Sequence, residues 1–422
     1  MNALPQQPHP RNRLGLWLRL AFGALAACGV AVALIAWLNL RGEDPLDDSA
    51  PPAAATLDAS LVERGAYLAR AGNCMACHTA RGGTPGAGGR AIETPFGMVF
   101  SSNLTPDDET GLGRWNASHF WRALHNGRSR DGRLLYPAFP YPNYTQVTRE
   151  DSDALYAWLR TLPPAKQLNR AHGLEAPFDS QAALAVWRAL YFRPGTFVPE
   201  AAPASLNDPA NASATDAEWN RGAYLVRGLG HCAACHSARN ALGGSEDASA
   251  LAGGLIPVQN WYAPSLSAET EAGVAHWSRD EVVRLLRDGV SAHGQVTGPM
   301  AEVVLQSTQH LTPQDLSAMA AYLQALPPRD VPPRPRQAVP SQMVVRGTAI
   351  YEQNCINCHG AKGEGVPDAY PPLAGNRAVT MNNPSNLVQM VLYGGYGPAT
   401  AGHPRPFGMP PYVLALSDED IA

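Results

Sequence analysis

The chain has 422 residues, room for about two to four domains, and a 45% apolar fraction sufficient to bury their cores. A formal net charge of −4, with no basic stripe interleaved with aromatics, argues against nucleic acid as a partner. With 39 Gly and 38 Pro, short helices joined by many loops are expected.

In chain order the first element is Leu20–Leu40, LAFGALAACGVAVALIAWLNL, apolar and uncharged over the length a membrane-spanning helix needs. Arg11, Arg13 and Arg19 precede it, and Glu43, Asp44, Asp47 and Asp48 follow it. The arginines favour a cytoplasmic N-terminus and an exported body. The apolar run exceeds an ordinary signal h-region, so a retained anchor over residues 1–45 is expected ahead of a cleaved signal. LAAC, ending at Cys28, has the form of a lipid-attachment box, but the chain stays apolar beyond it. Cys28 therefore reads as a small apolar residue of a membrane helix.

Next comes GNCMACH at Gly72–His78, which returns as GHCAACH at Gly230–His236 and as QNCINCH at Gln353–His359. The flanks repeat too: VERGAYLARAGNCMACHTAR matches WNRGAYLVRGLGHCAACHSAR, and VVRGTAIYEQNCINCHGAK is a looser copy. A whole module is repeated. Zinc would need four ligands, and each copy has one Cys-Cys-His triplet without a local second pair. A thioredoxin-like dithiol would need a βαβ context, which neither flank supplies. Structural disulfides leave unexplained a His fixed after the second Cys three times. Covalent haem accounts for every feature: two thiols add to the two vinyl groups of one haem, and the adjacent His reaches the iron. The sequence thus predicts three haem c groups, on Cys74 and Cys77, on Cys232 and Cys235, and on Cys355 and Cys358, with His78, His236 and His359 as proximal ligands. An exported location agrees with such attachment.

A second axial ligand, often Met, comes from a loop well downstream. HGQVTGPMAEVV offers Met300 to the second haem, and HPRPFGMPPYV offers Met409 to the third. Each precedes a helix start, LTPQD with Thr312 as cap and LSDED with Ser417. In the first module Phe139 stands where Met is expected, and Phe cannot ligate iron. Met98, His119, His125 or water remain open for that iron, with core or surface packing the favoured reading of both histidines.

Each module reads as short helices around a haem. The last helix carries Leu155, Trp158 and Leu159 in module one, and Leu316, Met319, Tyr322 and Leu323 in module two. Pro163-Pro164 and Pro327-Pro328 stop these helices, and Gly65 and Gly222 permit a close crossing with them. Module three stops about one turn into its last helix, at LSDEDIA, so a truncated sequence is expected. Between modules one and two, FDSQAALAVWRALYFRPGTF gathers Trp187, Leu190, Tyr191 and Phe192. It reads first as a connecting helix packed on both domains, and second as a docking surface for a partner protein. LPPRDVPPRPRQAVP before module three reads as a semi-rigid extended spacer.

These phrases, with TPFGMVFSSNLTPDDETGLGRW, RDGRLLYPAFPY and GLGHCAACHSARNALGG, resemble the triple-haem cytochrome c subunits of bacterial membrane-bound dehydrogenases, from about Leu57 to the end. The resemblance implies an all-α fold of three class I cytochrome c domains in tandem behind an N-terminal transmembrane helix. The expected boundaries are 1–45 anchor, 57–165 domain one, 166–217 linker, 218–328 domain two, 329–342 spacer and 343–422 domain three. It also implies a dehydrogenase catalytic partner of molybdenum, quinoprotein or flavoprotein type. Electrons would pass to ubiquinone or a terminal oxidase, from haem domains on the periplasmic side of the inner membrane. Phe139 and the retained anchor look more like the cytochromes that accompany molybdenum enzymes. No Rossmann fingerprint, nucleophile–base pair, molybdenum or flavin motif is evident, so an electron-transfer subunit is expected. A haem enzyme with an open first haem and a free-standing redox carrier are the alternatives.

Overall fold

The computed structural model describes residues 13–46, 58–203, 215–245, 251–332 and 338–421. Arg11, Asp47, Asp48 and residues 333–337 of the proline-dense spacer lie outside the described residues.

Helix α1, Arg13–Leu40, contains the span Gly15–Leu40, whose most apolar stretch has a mean hydropathy of 2.2, long and apolar enough to cross a membrane. Its last turn is not bare. Asn39 is 7% exposed and sits against module one, as described below.

Module one opens with α2, Ala59–Ala71, capped by the Asp58 carboxylate, and α3, Cys74–His78. A hairpin follows, β1 Ala91–Thr94 and β2 Gly97–Phe100, with Ala91 opposite Phe100. Helix α4, Ala117–Asn126, ends at Gly127, whose φ of +60° suits glycine. A single turn, α5 Tyr141–Tyr144, leads to α6, Arg149–Leu159, capped by Thr148. Strand β3, Gly173–Leu174, adds to β2 and completes a three-stranded sheet. The connecting helix is α7, Gln181–Tyr191, capped by Ser180.

Module two repeats the plan. Helix α8, Asp216–Tyr224, runs into a π-helical turn, Leu225–Leu229, and then α9, Ala233–His236. The π turn has a sequence cause: there is one residue more between Arg221 and Cys232 than between Arg64 and Cys74, and a π bulge absorbs it. Hairpin β4 Gly254–Ile256 and β5 Trp261–Ala263 matches the first module's hairpin. Helix α10, Arg279–Asp288, precedes the small ladder β6 Val290–Ser291 and β7 Gly294–Gln295. Then come α11, Gly298–Gln306, a 3₁₀ turn at Thr308–His310, and α12, Pro313–Gln324, capped by Thr312. Module three has α13 Ser341–Asn354, α14 Ile356–His359, α15 Arg377–Thr380 and α16 Ser385–Tyr393. The two-residue strands β8 Gly395–Tyr396 and β9 Gly408–Met409 pair, and α17, Asp418–Ile421, follows. The architecture is therefore largely helical, with small antiparallel hairpins that helical periodicity did not foretell.

The helix crossings follow from glycine. A Cβ on Gly65 would lie 1.9 Å from the Ala154 carbonyl oxygen, and one on Gly222 would lie 1.9 Å from that of Ala318. Only hydrogen fits there, so α2 meets α6, and α8 meets α12, backbone to backbone. Around these crossings two cores form, and they interlock. Tyr67 and Ala71 of module one join the core of module two. Tyr224 and Leu229 of module two join the core of module one.

Reciprocal polar bonds seal that interlock. Arg64 pairs with Asp151 at the start of its own module's last helix, and Arg221 pairs likewise with Asp315. Each carboxylate then accepts a bond from the other module: Tyr224 Oη donates to Asp151 Oδ2 at 2.6 Å, and Tyr67 Oη donates to Asp315 Oδ2 at 2.5 Å. The backbone N–H of Thr148 donates to Tyr224 Oη, and that of Thr312 donates to Tyr67 Oη. The same three-part contact is made twice, so modules one and two pair about a pseudo-twofold axis.

Module three docks on module two instead. The side chain of Asn386 bonds both the N–H and the carbonyl of Tyr262, and Arg377 donates to the Gly273 carbonyl at 2.6 Å. Arg284 pairs with Asp368.

Candidate haem-attachment sites

Each Cys-x-x-Cys-His stretch is a short helical turn after the module's first helix. In all three the His Nδ1 donates to a backbone carbonyl: His78 to Ser102 at 2.7 Å, His236 to Pro264 at 2.7 Å, and His359 to Pro371 at 3.0 Å. An Nδ1–H engaged this way leaves the Nε2 lone pair free and fixes the ring's orientation, as a metal-bound imidazole requires. Burial pushes the pKa of His78 and His236 below the ordinary imidazole value, favouring the neutral, ligating form.

The six cysteines are free thiols, and no disulfide competes for them. Burial raises the pKa of Cys74 and Cys232 to about 12, so as thiols they are protonated. Cys74, Cys232 and Met300 are half-buried against apolar cores, Cys355, Cys358 and the three histidines are half-buried, and Cys77 and Cys235 are exposed. Two accessible thiols and one oriented imidazole apiece fit covalent haem. Among the described residues no cluster of three or more His, Cys, Asp or Glu offers another metal site.

The second-ligand candidates differ in setting. Met300 is the third residue of α11, inside the helix rather than in the loop ahead of it, with Pro299 in the first turn. It packs against the same core as Cys232. Met409 lies on β9. In module one Phe139 packs in the core that holds Cys74, with its ring 5.4 Å from that of Tyr144. Met98 is on β2, opposite Glu93 and Gly173, in the hairpin that leads to the Ser102 carbonyl and hence to the His78 side. His119 forms a capping box with Asn116 at the start of α4. His125 stacks on Trp121 at 4.3 Å.

The first two sites adjoin. Arg90 donates to the carbonyl of Ala76, inside the first motif, and pairs with Glu302 at 2.7 Å, two residues past Met300. Tyr144 Oη donates to the Gly72 carbonyl, and its ring stands 5.5 Å from that of His231, next to Cys232. Sequence reading missed Arg90, Glu302 and the two tyrosine–aspartate bonds. The one available signal was the Tyr of RGAY, present in two copies and replaced by Ala349 in the third.

A repeated helical unit presenting two thiols and a tautomer-fixed imidazole defines a c-type cytochrome. The cytochrome c family pattern matches residues 62–163, 220–327 and 344–422, and the chain belongs to that family. It is 38% identical to the alcohol dehydrogenase (quinone) cytochrome c subunit of Gluconacetobacter polyoxogenes, across 86% of this chain and 79% of that one. It is 36% identical to the gluconate 2-dehydrogenase cytochrome c subunit of Pantoea cypripedii, across 86% and 83%. Identity to a nicotinate dehydrogenase subunit of Pseudomonas putida is 38%, across 99% of this chain but 34% of that one. The protein is thus an electron-transfer cytochrome c subunit of the kind that serves membrane-bound dehydrogenases.

Proposed function

We propose that the chain carries three covalent haem c groups in series and relays electrons from a periplasmic dehydrogenase catalytic subunit to ubiquinone or a terminal oxidase. Haem one takes Cys74, Cys77 and His78; haem two takes Cys232, Cys235, His236 and Met300; haem three takes Cys355, Cys358, His359 and Met409. The domains that hold them span 57–165, 218–328 and 343–422. The observation that carries this reading is the carbonyl-bound Nδ1 at each of the three histidines. Bound haem supplies reversible one-electron chemistry. The protein's own part is to hold each ring, keep the imidazoles neutral and fix the spacing between sites.

Module two contacts both others, so haem two stands between haems one and three in the relay. Helix α1 is retained as an anchor in the inner membrane, N-terminus in the cytoplasm. A molybdenum-type partner is supported by Phe139 and by the similarity to the nicotinate dehydrogenase relative along nearly the whole chain, α1 included. Pull-down of the tagged holoprotein from its own membranes in mild detergent tests the partner. A large catalytic subunit should co-purify, and its substrate should reduce the haems; recovery of the cytochrome alone overturns the fixed-subunit reading.

A second reading rests on Phe139. With Phe139 packed in the core beside Cys74, where a Met ligand is expected, a haem held there by Cys74, Cys77 and His78 would be open to an external ligand such as peroxide or oxygen. Reduced protein should then bind carbon monoxide at one haem of three. No spectral change with carbon monoxide removes this reading.

A further inference from the structure

The buried arginine of the connecting helix leads to an interaction surface. Arg188 on α7 is 2% exposed, and its Nε donates to Asn39 Oδ1, in the last turn of α1, at 2.9 Å. Asn39 Nδ2 donates in turn to the Ala185 carbonyl at 2.9 Å. The guanidinium also lies over the rings of Tyr141 and Phe192, so α1, α7 and module one meet at one point. Further clamps hold the chain just after α1. Gly42 accepts from Asn126, Glu43 pairs with Arg128 at 2.6 Å, and Asp44 accepts from Trp121 Nε1. The exit of α1 is therefore fixed to module one, not tethered by a free linker.

The opposite face of α7 is apolar and uncovered. Ala182, Val186 and Leu190 recur every four residues on it, with Val186 44% and Leu190 54% exposed. Leu242 of module two, 44% exposed, extends the patch, because Trp187 Nε1 donates to its carbonyl. A short helix fixed to the end of a membrane-spanning segment, with an apolar face and a Trp and a Tyr beside it, fits the lipid headgroup boundary.

We propose that the Ala182–Val186–Leu190 face of α7, with Leu242, lies in the outer headgroup layer of the bilayer that α1 crosses. This rests on the reading of α1 as a retained anchor. The contact turns a single spanning helix into a two-point attachment. It sets modules one and two at a fixed height over the membrane, with module one adjoining it. The bilayer is favoured over a partner protein because α7 is bonded to the last turn of α1, the level at which that helix would leave the lipid.

The test uses full-length holoprotein in nanodiscs containing a phosphatidylcholine with a photoactivatable diazirine near the glycerol end of one acyl chain. Cross-linked peptides are mapped by mass spectrometry, alongside N-terminal sequencing. Lipid adducts are expected on α1 and on α7, and none around Leu414, a 99% exposed apolar residue of module three. The paired variant Val186→Glu/Leu190→Glu should lose the α7 adducts, keep those on α1 and leave the haem absorption spectrum unchanged. Adducts on α1 alone would overturn the α7 contact and leave the anchor standing. A mature N-terminus beyond Leu40 would overturn both.

Discussion

Module pairs one–two and two–three are built from the same repeat but joined differently. At the first interface Tyr67 and Tyr224 each cross to the other module's carboxylate, beside an arginine that already pairs with it. Module three keeps the arginine–carboxylate half, Arg346 with Asp420, and the cap at Ser417. At the tyrosine position it has Ala349, which has no hydroxyl to reach across. The first interface therefore closes into a reciprocal, partly buried network, whereas the second rests on bonds from Asn386, Arg377 and Arg284. The tyrosine is the part of the repeat that the symmetric interface uses and that module three lacks.

The sharpest way to break the contrast is at the crossings. Gly222→Ala would put a methyl into the Ala318 carbonyl, and Gly65→Ala the same at Ala154. Each should lower the stability of the module pair by about 3 kcal/mol or more, read as a lower midpoint in thermal unfolding followed by Soret circular dichroism. Gly347→Ala, with nothing within 4 Å of its added carbon, should change this 422-residue protein by less than about 1 kcal/mol.

Next in size is the carboxylate. Asp315→Asn leaves Arg221 beside a neutral amide in a mostly buried site, and should cost about 3 kcal/mol. Asp420→Asn, at an exposed arginine, should shift the unfolding midpoint much less. The same pair responds to acid. Burial alone would raise the Asp315 pKa, but bonds from Arg221 and Tyr67 outweigh it and hold the pKa below the ordinary carboxylate value. A depressed folded pKa gives stability that is present above the unfolded value of about 3.9 and is lost as pH falls through the folded value. Unfolding midpoints measured from about pH 6 down to about pH 3 should therefore fall less steeply in Asp315→Asn than in the unmodified protein. Equal slopes would mean the network does not couple the modules to pH.

Smaller still is the tyrosine. Tyr67→Phe removes one bond to a charged acceptor and should cost about 1.5–3 kcal/mol, and Tyr224→Phe the same. Because the Arg221 guanidinium that pairs with Asp315 also lies 5.7 Å from the Tyr224 ring, the two halves touch and the double variant should depart from the sum, whereas strict additivity would mean that they are independent. The finest effect is spectroscopic. Phe139→Met should raise the potential of haem one and suppress its carbon monoxide binding, both readable by a redox titration with optical detection.

The haem motifs, their repetition, the apolar N-terminal helix, the caps at Thr312 and Ser417 and the glycine crossings were all legible in the sequence, because each is a local pattern with a local cause. The single-turn helices at the motifs and the hairpins were not, because stretches of two to five residues have too short a period to read. Tyr67 and Asp315 are 248 positions apart, and nothing along the chain announces that they touch. The sequence by itself determined that the chain is a c-type cytochrome: thiol spacing and an adjacent imidazole suffice to announce that chemistry. Tertiary structure alone decided which modules pair, where the first two sites adjoin, and that Arg188 ties the connecting helix to the end of α1, since such contacts depend on how whole helices pack.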